Sequence, residues 1–380
     1  MRTLHSILKH GGLFWDRELL PPENYTARYG RIQETMRASG DDAWLVFGDV
    51  ARYGNLTYLT NFLPRVRSAM AYLPREGAPV LYASIGLRDI PAAKTLTWVD
   101  EIRVFGRVPA SVAQLITDEG LAKGRIGLVG FDETMPVADW DAVAAALPDV
   151  DWQVRSGALD ELRARKDTSE IAAMRAAGRT ALTALEGANE ALEPGTTMRQ
   201  VFARLEGAAR GLGAEDVRIL AASGPQTGIA LGPIDDRVLE AGDPVMVHFA
   251  VERQRYWAEV GKTFTVGGAG GAADGLQGRA QSVLAAMEDA ATPGASIADL
   301  AAVARAAIGD GSLAEGAASY GFAHGIGLDA EEYPLIASHD DAALAPGAAL
   351  ALRAVLHGEG TGAIAGRTVL IGDDGLERLT

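Results

Sequence analysis

Apolar positions follow two different rhythms along the chain, and the change lies near residue 157. From Trp44 to about Gly157, short runs (WLVFGD, SAMAYLP, APVLYAS, RIGLVGF) alternate with helical or loop stretches, which predicts a small α/β domain with a mixed sheet. The following LDELRARKDTSEIAAMRAAGRTALTALEGANEALEPGTT is amphipathic at helical spacing, with Asp167, Thr168 or Ser169 as caps and Pro194-Gly195 as the stop. Beyond it the pattern predicts a helix over about 198–212, a strand pair within 245–264, an Ala-rich helical region over about 274–309, and terminal strands ALALRAVL and GRTVLIG. Helices and antiparallel strands segregate, so the expected class is α+β, with domains at 1–157 and 158–380. The glycine-rich VGGAGGAADG after Val266 lacks a following Lys-Ser/Thr and reads as a flexible connection rather than a phosphate loop.

The strand pair VMVHFAVERQRYWAEVGKTF carries His248 and Glu259 at positions that otherwise hold core residues. A turn near Arg253 and Gln254 would set 248 opposite 259, with both side chains on one face. Arg-Gln is a poor two-residue turn, so a longer or bulged loop is expected there. Two readings stay open: a buried histidine satisfied by a glutamate for structural reasons, or part of a site.

Composition narrows the chemistry. A chain of 380 residues is long for one core and natural for two domains. No apolar run approaches the ~20 residues of a bilayer span and no charged-then-apolar leader opens the chain, so a soluble, cytoplasmic protein is expected. With no cysteine, any metal would have to be held by His, Asp and Glu. The net charge of −15 argues against nucleic acid or an anionic membrane as partner. The apolar HGGLFWDRELLPP near the start is expected to pack on the second domain or on a partner subunit.

Several segments resemble the pita-bread family of creatinase, prolidase, aminopeptidase P and methionine aminopeptidase. They are NLTYLTNF (55–62), ELRARKDTSEIAAMRAA (161–177), LEPGTT (192–197), SGPQT (223–227), LEAGDPVMVHFA (239–250), YWAEVGKTFTVG (256–267), HGIGLDAEEYP (324–334), LAPGAAL (344–350) and VLIGDDGLERLT (369–380), in family order over nearly the whole chain. The resemblance implies a creatinase/prolidase-like N-terminal α/β domain, a C-terminal pita-bread catalytic domain, and a homodimer in which the N-terminal domain of one subunit lies near the other's active site. Metallopeptidases of the family hold two divalent ions with two Asp, one His and two Glu; the matching positions here are His248, Glu259, His324, Arg353 and Gly366. Arginine carries a fixed charge and cannot ligate, so the dinuclear site is expected to be lost and no metal cofactor is expected. A single ion on His248, Glu259 and His324 is the alternative. Measured against creatinase, the loop histidine is Leu231, the histidine before the Glu-x-Pro motif is Glu331, and the matching glutamate is Glu332.

The resulting expectation is a metal-independent enzyme acting on a small, aromatic or anionic molecule. His248 and His324 would be its acid and base, Glu259 would orient His248, Glu331 would add a titrating carboxylate, and Arg353 would stabilise negative charge. Arg353 could instead simply fill the metal hole by pairing with Glu259 or Glu331. A lyase of retro-aldol or elimination type comes first, with a creatinase-like C–N hydrolase (amidinohydrolase or amidohydrolase) and a non-catalytic binding protein derived from a metallopeptidase as alternatives. Tyr256, Trp257, Phe322 and Tyr333 are candidate stacking residues or core aromatics, Glu332 and Arg367 are further candidate contacts, and Arg65 or Arg67 could clamp a carboxylate.

Overall fold

A computed structural model describes residues 13–380 apart from 66, 105, 191, 269–272, 310, 311, 335–340, 342, 359 and 374. It divides into two compact units, Met1–Leu162 and Arg163–Thr380.

The first unit runs α1 (Pro22–Ser39), β1 (Ala43–Asp49), α2 (Gly54–Thr60), β2 (Ser68–Pro74), β3 (Val80–Ala83), α3 (Ile90–Ala93), β4 (Glu101–Val104), α4 (Val108–Asp118), β5 (Arg125–Val129), α5 (Phe131–Thr134), α6 (Val137–Ala146) and β6 (Asp151–Val154), with α7 (Gly157–Ala164) at the boundary. Its strands line up β4-β3-β2-β1-β5-β6, and β2 alone runs against the rest, giving the mixed sheet that the short apolar runs predict. Every second residue of β1 (Ala43, Leu45, Phe47) buries against Val112, Leu115 and Ile116 of α4 and Val143 of α6. On the other face, Trp44 Nε1 donates to the buried Asp41 carboxylate at 2.8 Å, which also accepts from Arg125 and Arg155. Burial pushes the Asp41 pKa up, but these donors outweigh it and hold it at about 2. Gly127 on β5 is required by this packing, since a Cβ there would lie 2.4 Å from Trp44 Cδ1. In the opening apolar segment, Trp15 packs edge-on against Tyr25 of α1 at 5.8 Å and donates to the Leu20 carbonyl, both contacts within its own unit. Residues 10–12 of that segment lie outside the described residues.

The second unit runs α8 (Thr168–Asn189), α9 (Met198–Gly211), β7 (Asp216–Ser223), β8 (Pro244–Arg253), β9 (Tyr256–Thr265), α10 (Asp274–Ala290), α11 (Ile297–Ile308), α12 (Ser312–Ser319), β10 (Ala323–Gly325), β11 (Ala349–Gly358), β12 (Thr361–Ile371) and β13 (Leu376–Arg378). Its antiparallel sheet is ordered β10-β11-β12-β9-β8-β7, with β13 added to β12. Asp167 caps α8, its Oδ1 accepting from the Ser169 and Glu170 amides. The Ala-rich region forms two helices rather than one, because Pro293 and the left-handed Gly294 interrupt it and Ser296 restarts it in a reciprocal cap with Asp299. Gly267 and Gly268 leave β9 in left-handed conformations, and residues 269–272 of the glycine-rich connection lie outside the described residues. Two apolar clusters cover one face of the sheet: α8 and α9 bury Val245, Val247 and Phe249 of β8, while α10 and α11 bury Leu350, Leu352 and Leu356 of β11. The alternate residues of those strands face the other way, and the site is built from them.

Candidate active site

The β8–β9 hairpin closes on the pair Arg253↔Tyr256, leaving Gln254 and Arg255 as a two-residue turn with φ of 50° and 68°. Such a turn requires two left-handed residues, a conformation costly for side chains other than glycine, asparagine or aspartate. Here Glu215 holds it: its carboxylate accepts from the Arg255 amide at 3.0 Å, from Arg255 Nη1 at 3.2 Å and from Gln254 Nε2 at 3.4 Å, all buried. The expected longer or bulged loop is therefore corrected to a tight turn, and the register shifts with it. His248 pairs with Gly261, and Glu259 pairs with Ala250. A shift of two preserves the face, so His248 and Glu259 are diagonal neighbours, within reach of long side chains.

One row crosses four strands: His248 on β8, Gly261 on β9, Gly366 on β12 and Arg353 on β11. The two central glycines leave the floor without side chains. A Cβ on Gly261 would come within 3.0 Å of the Gly366 nitrogen and 2.8 Å of Ile364 Cγ1, and one on Gly366 within 3.1 Å of the Gly261 nitrogen. Over this floor the end residues converge on Glu259. His248 Nε2 lies 3.2 Å from Glu259 Oε2, off the line a hydrogen bond needs, while Arg353 Nη1 lies 3.5 Å and His324 Nε2 3.7 Å from Oε1. His324 reaches the cluster from β10, where it faces Ala351, two residues from Arg353.

Hydrogen bonds assign the roles of the rings. His324 Nδ1 lies 2.9 Å from the Gly325 carbonyl, which can only accept, so Nδ1 carries the proton and Nε2 accepts from Arg353 Nη1 at 3.2 Å. Arg353 Nε donates to the Tyr320 carbonyl at 3.1 Å, fixing the guanidinium plane. Burial pushes the Glu259 pKa up, but the two neighbouring imidazoles, His248 foremost, outweigh it and hold the carboxyl well below its usual range. The Glu259 backbone is pinned as well, its amide donating to Thr368 Oγ1 and its carbonyl accepting from Thr368 and Thr380.

The other expected site residues separate by place. Glu331 is exposed, with no hydrogen bond to the cluster among the described residues. Glu332 is buried between Arg163 and Lys166, which commits both its oxygens. Arg367 follows Gly366 and so faces the opposite side, where it donates to Glu288. Phe322 belongs to the apolar cluster under α10 and α11, Tyr256 is buried with its hydroxyl donating to Glu170, and Tyr333 is half-buried. Trp257 shares the Glu259 face but is fully buried beneath Arg218, whose guanidinium lies 4.5 Å from its ring. Arg65 and Arg67 belong to the first unit, half-buried and exposed respectively. Sequence reasoning missed Tyr320, Arg218 and the exposed Leu220 directly across from His248. The alternation of DVRILAAS on β7 is the signal that places Arg218 and Leu220 on the site face.

Residues 172–373 match metallopeptidase family M24 and residues 28–165 match the creatinase/prolidase N-terminal domain. The chain belongs to metallopeptidase family M24. Among its relatives, a Xaa-Pro dipeptidase of Pyrococcus horikoshii is 26% identical over 228 residues, 58% of this chain and 64% of that one. The chain thus aligns with under two thirds of that relative's length. A protein named "Probable dipeptidase PepE" from Mycobacterium tuberculosis is 27% identical over 347 residues, 88% of this chain and 86% of that one. Among solved structures, an X-Pro aminopeptidase of Thermotoga maritima superposes with a TM-score of 0.81 at 22% identity, covering 93% of this chain and 97% of that one, which bears out the two-domain pita-bread fold. These names overturn the expectation of a metal-independent lyase, and with it the alternatives of a creatinase-like C–N hydrolase and a non-catalytic binding protein. The relatives are peptidases. Substituted ligand positions do not fix the reaction, because an acid, a base and an anion stabiliser are equally the requirements of amide hydrolysis.

The fold family implies divalent ions, and the side chains present do not fit a pair of them. Of the five matching positions only His248, Glu259 and His324 offer donor atoms, and the Arg353 guanidinium stands within 3.2–3.5 Å of two of these. Among the described residues no group of three or more His, Asp or Glu side chains is arranged to hold a metal ion. No helix among them is long and apolar enough to cross a membrane.

Proposed function

We propose that the protein is a peptidase that hydrolyses the amide bond of a short peptide, of the dipeptidase type. The observation that carries this reading is the His248–Glu259 pair facing Arg353 across the glycine floor, set in a chain whose relatives are dipeptidases. Glu259, held ionised, orients His248 and stabilises its cationic form. His248 removes a proton from water as the water oxygen attacks the carbonyl carbon, and Arg353 meets the oxyanion that forms. Collapse of that intermediate breaks the C–N bond, and the proton held by His248 goes to the leaving nitrogen. His324, as acceptor to Arg353, keeps the guanidinium turned toward the floor.

The test is a panel of Xaa-Pro and other dipeptides with the purified full chain, in buffers without divalent ions and with added manganese or zinc, with products followed by mass spectrometry. Release of free amino acids that is lost in Glu259→Gln and His248→Ala is the expected result. No cleavage of any dipeptide in any of these buffers would overturn the reading.

A further inference from the structure

The first unit holds a cavity of about 740 Å³, within the roughly 300–1,000 Å³ range of small-molecule sites, and the described residues that line it all belong to the first unit. Its position follows from the strand order. From β1 the chain lays β2, β3 and β4 on one side, then returns to add β5 and β6 on the other, so the direction of winding reverses between β1 and β5. At such a reversal the connections leave to opposite sides and open a crevice at the carboxyl ends of the strands. The lining residues come from that edge: Asp49 ends β1, Ser84 follows β3, Arg107 precedes α4 after β4, and Asp139 lies in the first turn of α6 after β5.

The charges around this cavity are unusual in not cancelling one another. Arg67, Arg107, Asp49 and Asp139 all line it, yet among the described residues no ion pair joins any two of them. Asp49 Oδ1 accepts from the Ala51 and Arg52 amides, which fixes the carboxylate at the strand end. Arg67 is held at φ 54°, a left-handed conformation costly for arginine, beside the first residue of β2. Between the charges the wall is apolar, with Phe47 and Met135 among its residues. Separated cations and anions around an apolar centre match a ligand that carries both signs of charge and an apolar side chain.

We propose that this cavity is a binding site for a zwitterionic, amino-acid-like small molecule, separate from the His248 cluster. The carboxylate of the ligand pairs with Arg67 and Arg107, its ammonium with Asp49 and Asp139, and its side chain covers Phe47 and Met135. A ligand carrying both charges is favoured over one lacking either, because only the former makes charge-assisted contacts with both the arginines and the aspartates.

The test is calorimetric titration of the full chain with L-phenylalanine, phenylacetate and phenethylamine, which share the ring and differ in which charge they carry. One saturable site for L-phenylalanine is expected, at least tenfold weaker for either single-charge probe and at least tenfold weaker in Arg107→Ala and in Asp139→Asn. Both variants should melt like the wild type, since Arg107 is exposed and Asp139 half-buried. Absence of saturable L-phenylalanine binding overturns the proposal. So does equal binding of phenylacetate, which would mark a simple anion site, or binding that both variants leave intact, which would place the amino acid elsewhere.

Discussion

Glu332 and Glu259 are both buried carboxylates ringed by cations in the second unit, and their surroundings differ in two respects. Glu332 is gripped by Arg163 at 2.5 Å and Lys166 at 2.7 Å, one cation on each oxygen. Glu259 stands 3.2–3.7 Å from His248, Arg353 and His324. The first set of partners is permanently charged and in short contact, which freezes the geometry; the second includes two imidazoles, at distances that leave room to rearrange. The tight cluster is scaffold. It presses on the turn after His324, where a Cβ on Gly327 would meet Glu332 Oε1 at 2.4 Å and the Gly327 carbonyl accepts from the Trp257 amide. The loose cluster is where chemistry is available, because a proton can move there without first breaking a fixed ion pair.

Four experiments break or sharpen this contrast. The largest expected effect is on turnover: Glu259→Gln should lower dipeptide cleavage by about 10²–10⁴-fold, the range for loss of general acid–base catalysis, in a protein that remains folded. Turnover within threefold of wild type would remove Glu259 from the mechanism. Next, Glu332→Ala should cost about 3–5 kcal/mol in chemical denaturation, since it strands the buried Lys166 and leaves the buried Arg163 paired with Asp329 alone; a variant as stable as wild type would show that the clamp is not structural. Gly261→Ala should cost about 1–3 kcal/mol, by forcing a methyl onto Ile364 and the Gly366 backbone. If it crystallises with an unshifted β9–β12 pairing and an unchanged melt, the floor is not close-packed.

The smallest effect separates the clusters by pH. Burial pushes the Glu332 pKa up, but the charges of Lys166 and Arg163 outweigh it and hold it below the usual range. A carboxylate depressed in the folded state contributes stability that is fully present above its unfolded pKa, about 4.3, and lost as pH falls through the folded value. The melting temperature should therefore decline below that pH, and less steeply in Glu332→Gln than in wild type. Parallel declines in the two proteins would mean that other carboxylates dominate acid unfolding.

How much of this was legible in the chain depended on the range of the interactions. The amphipathic spacing of 168–189 and its Asp167 cap, the short strands of the first unit, and the pairing of β8 with β9 are local and were readable. The shared face of His248 and Glu259 also survived a misplaced turn, because moving the turn centre by one residue shifts cross-strand partners by two. The register itself was not readable, since Glu215 lies 40 residues before the turn residue it holds. Nor was the fate of Glu332: an acidic residue beside a motif looks available until Arg163 and Lys166 arrive from 169 and 166 residues earlier. Arg218 and Leu220 could have been found from β7, where every second residue faces the site.

The turn at Gln254 and Arg255 carries an implication for the order of assembly. An Asn-Gly hairpin closes by itself within microseconds and can seed a sheet. This one depends on a carboxylate brought in across a 40-residue loop, so the strands bearing His248 and Glu259 acquire their alignment only when β7 has docked. An alignment set by so distant a contact is expected to form late, and a change at Glu215, remote in sequence from every group in the cluster, should then speed unfolding of this sheet more than it slows folding.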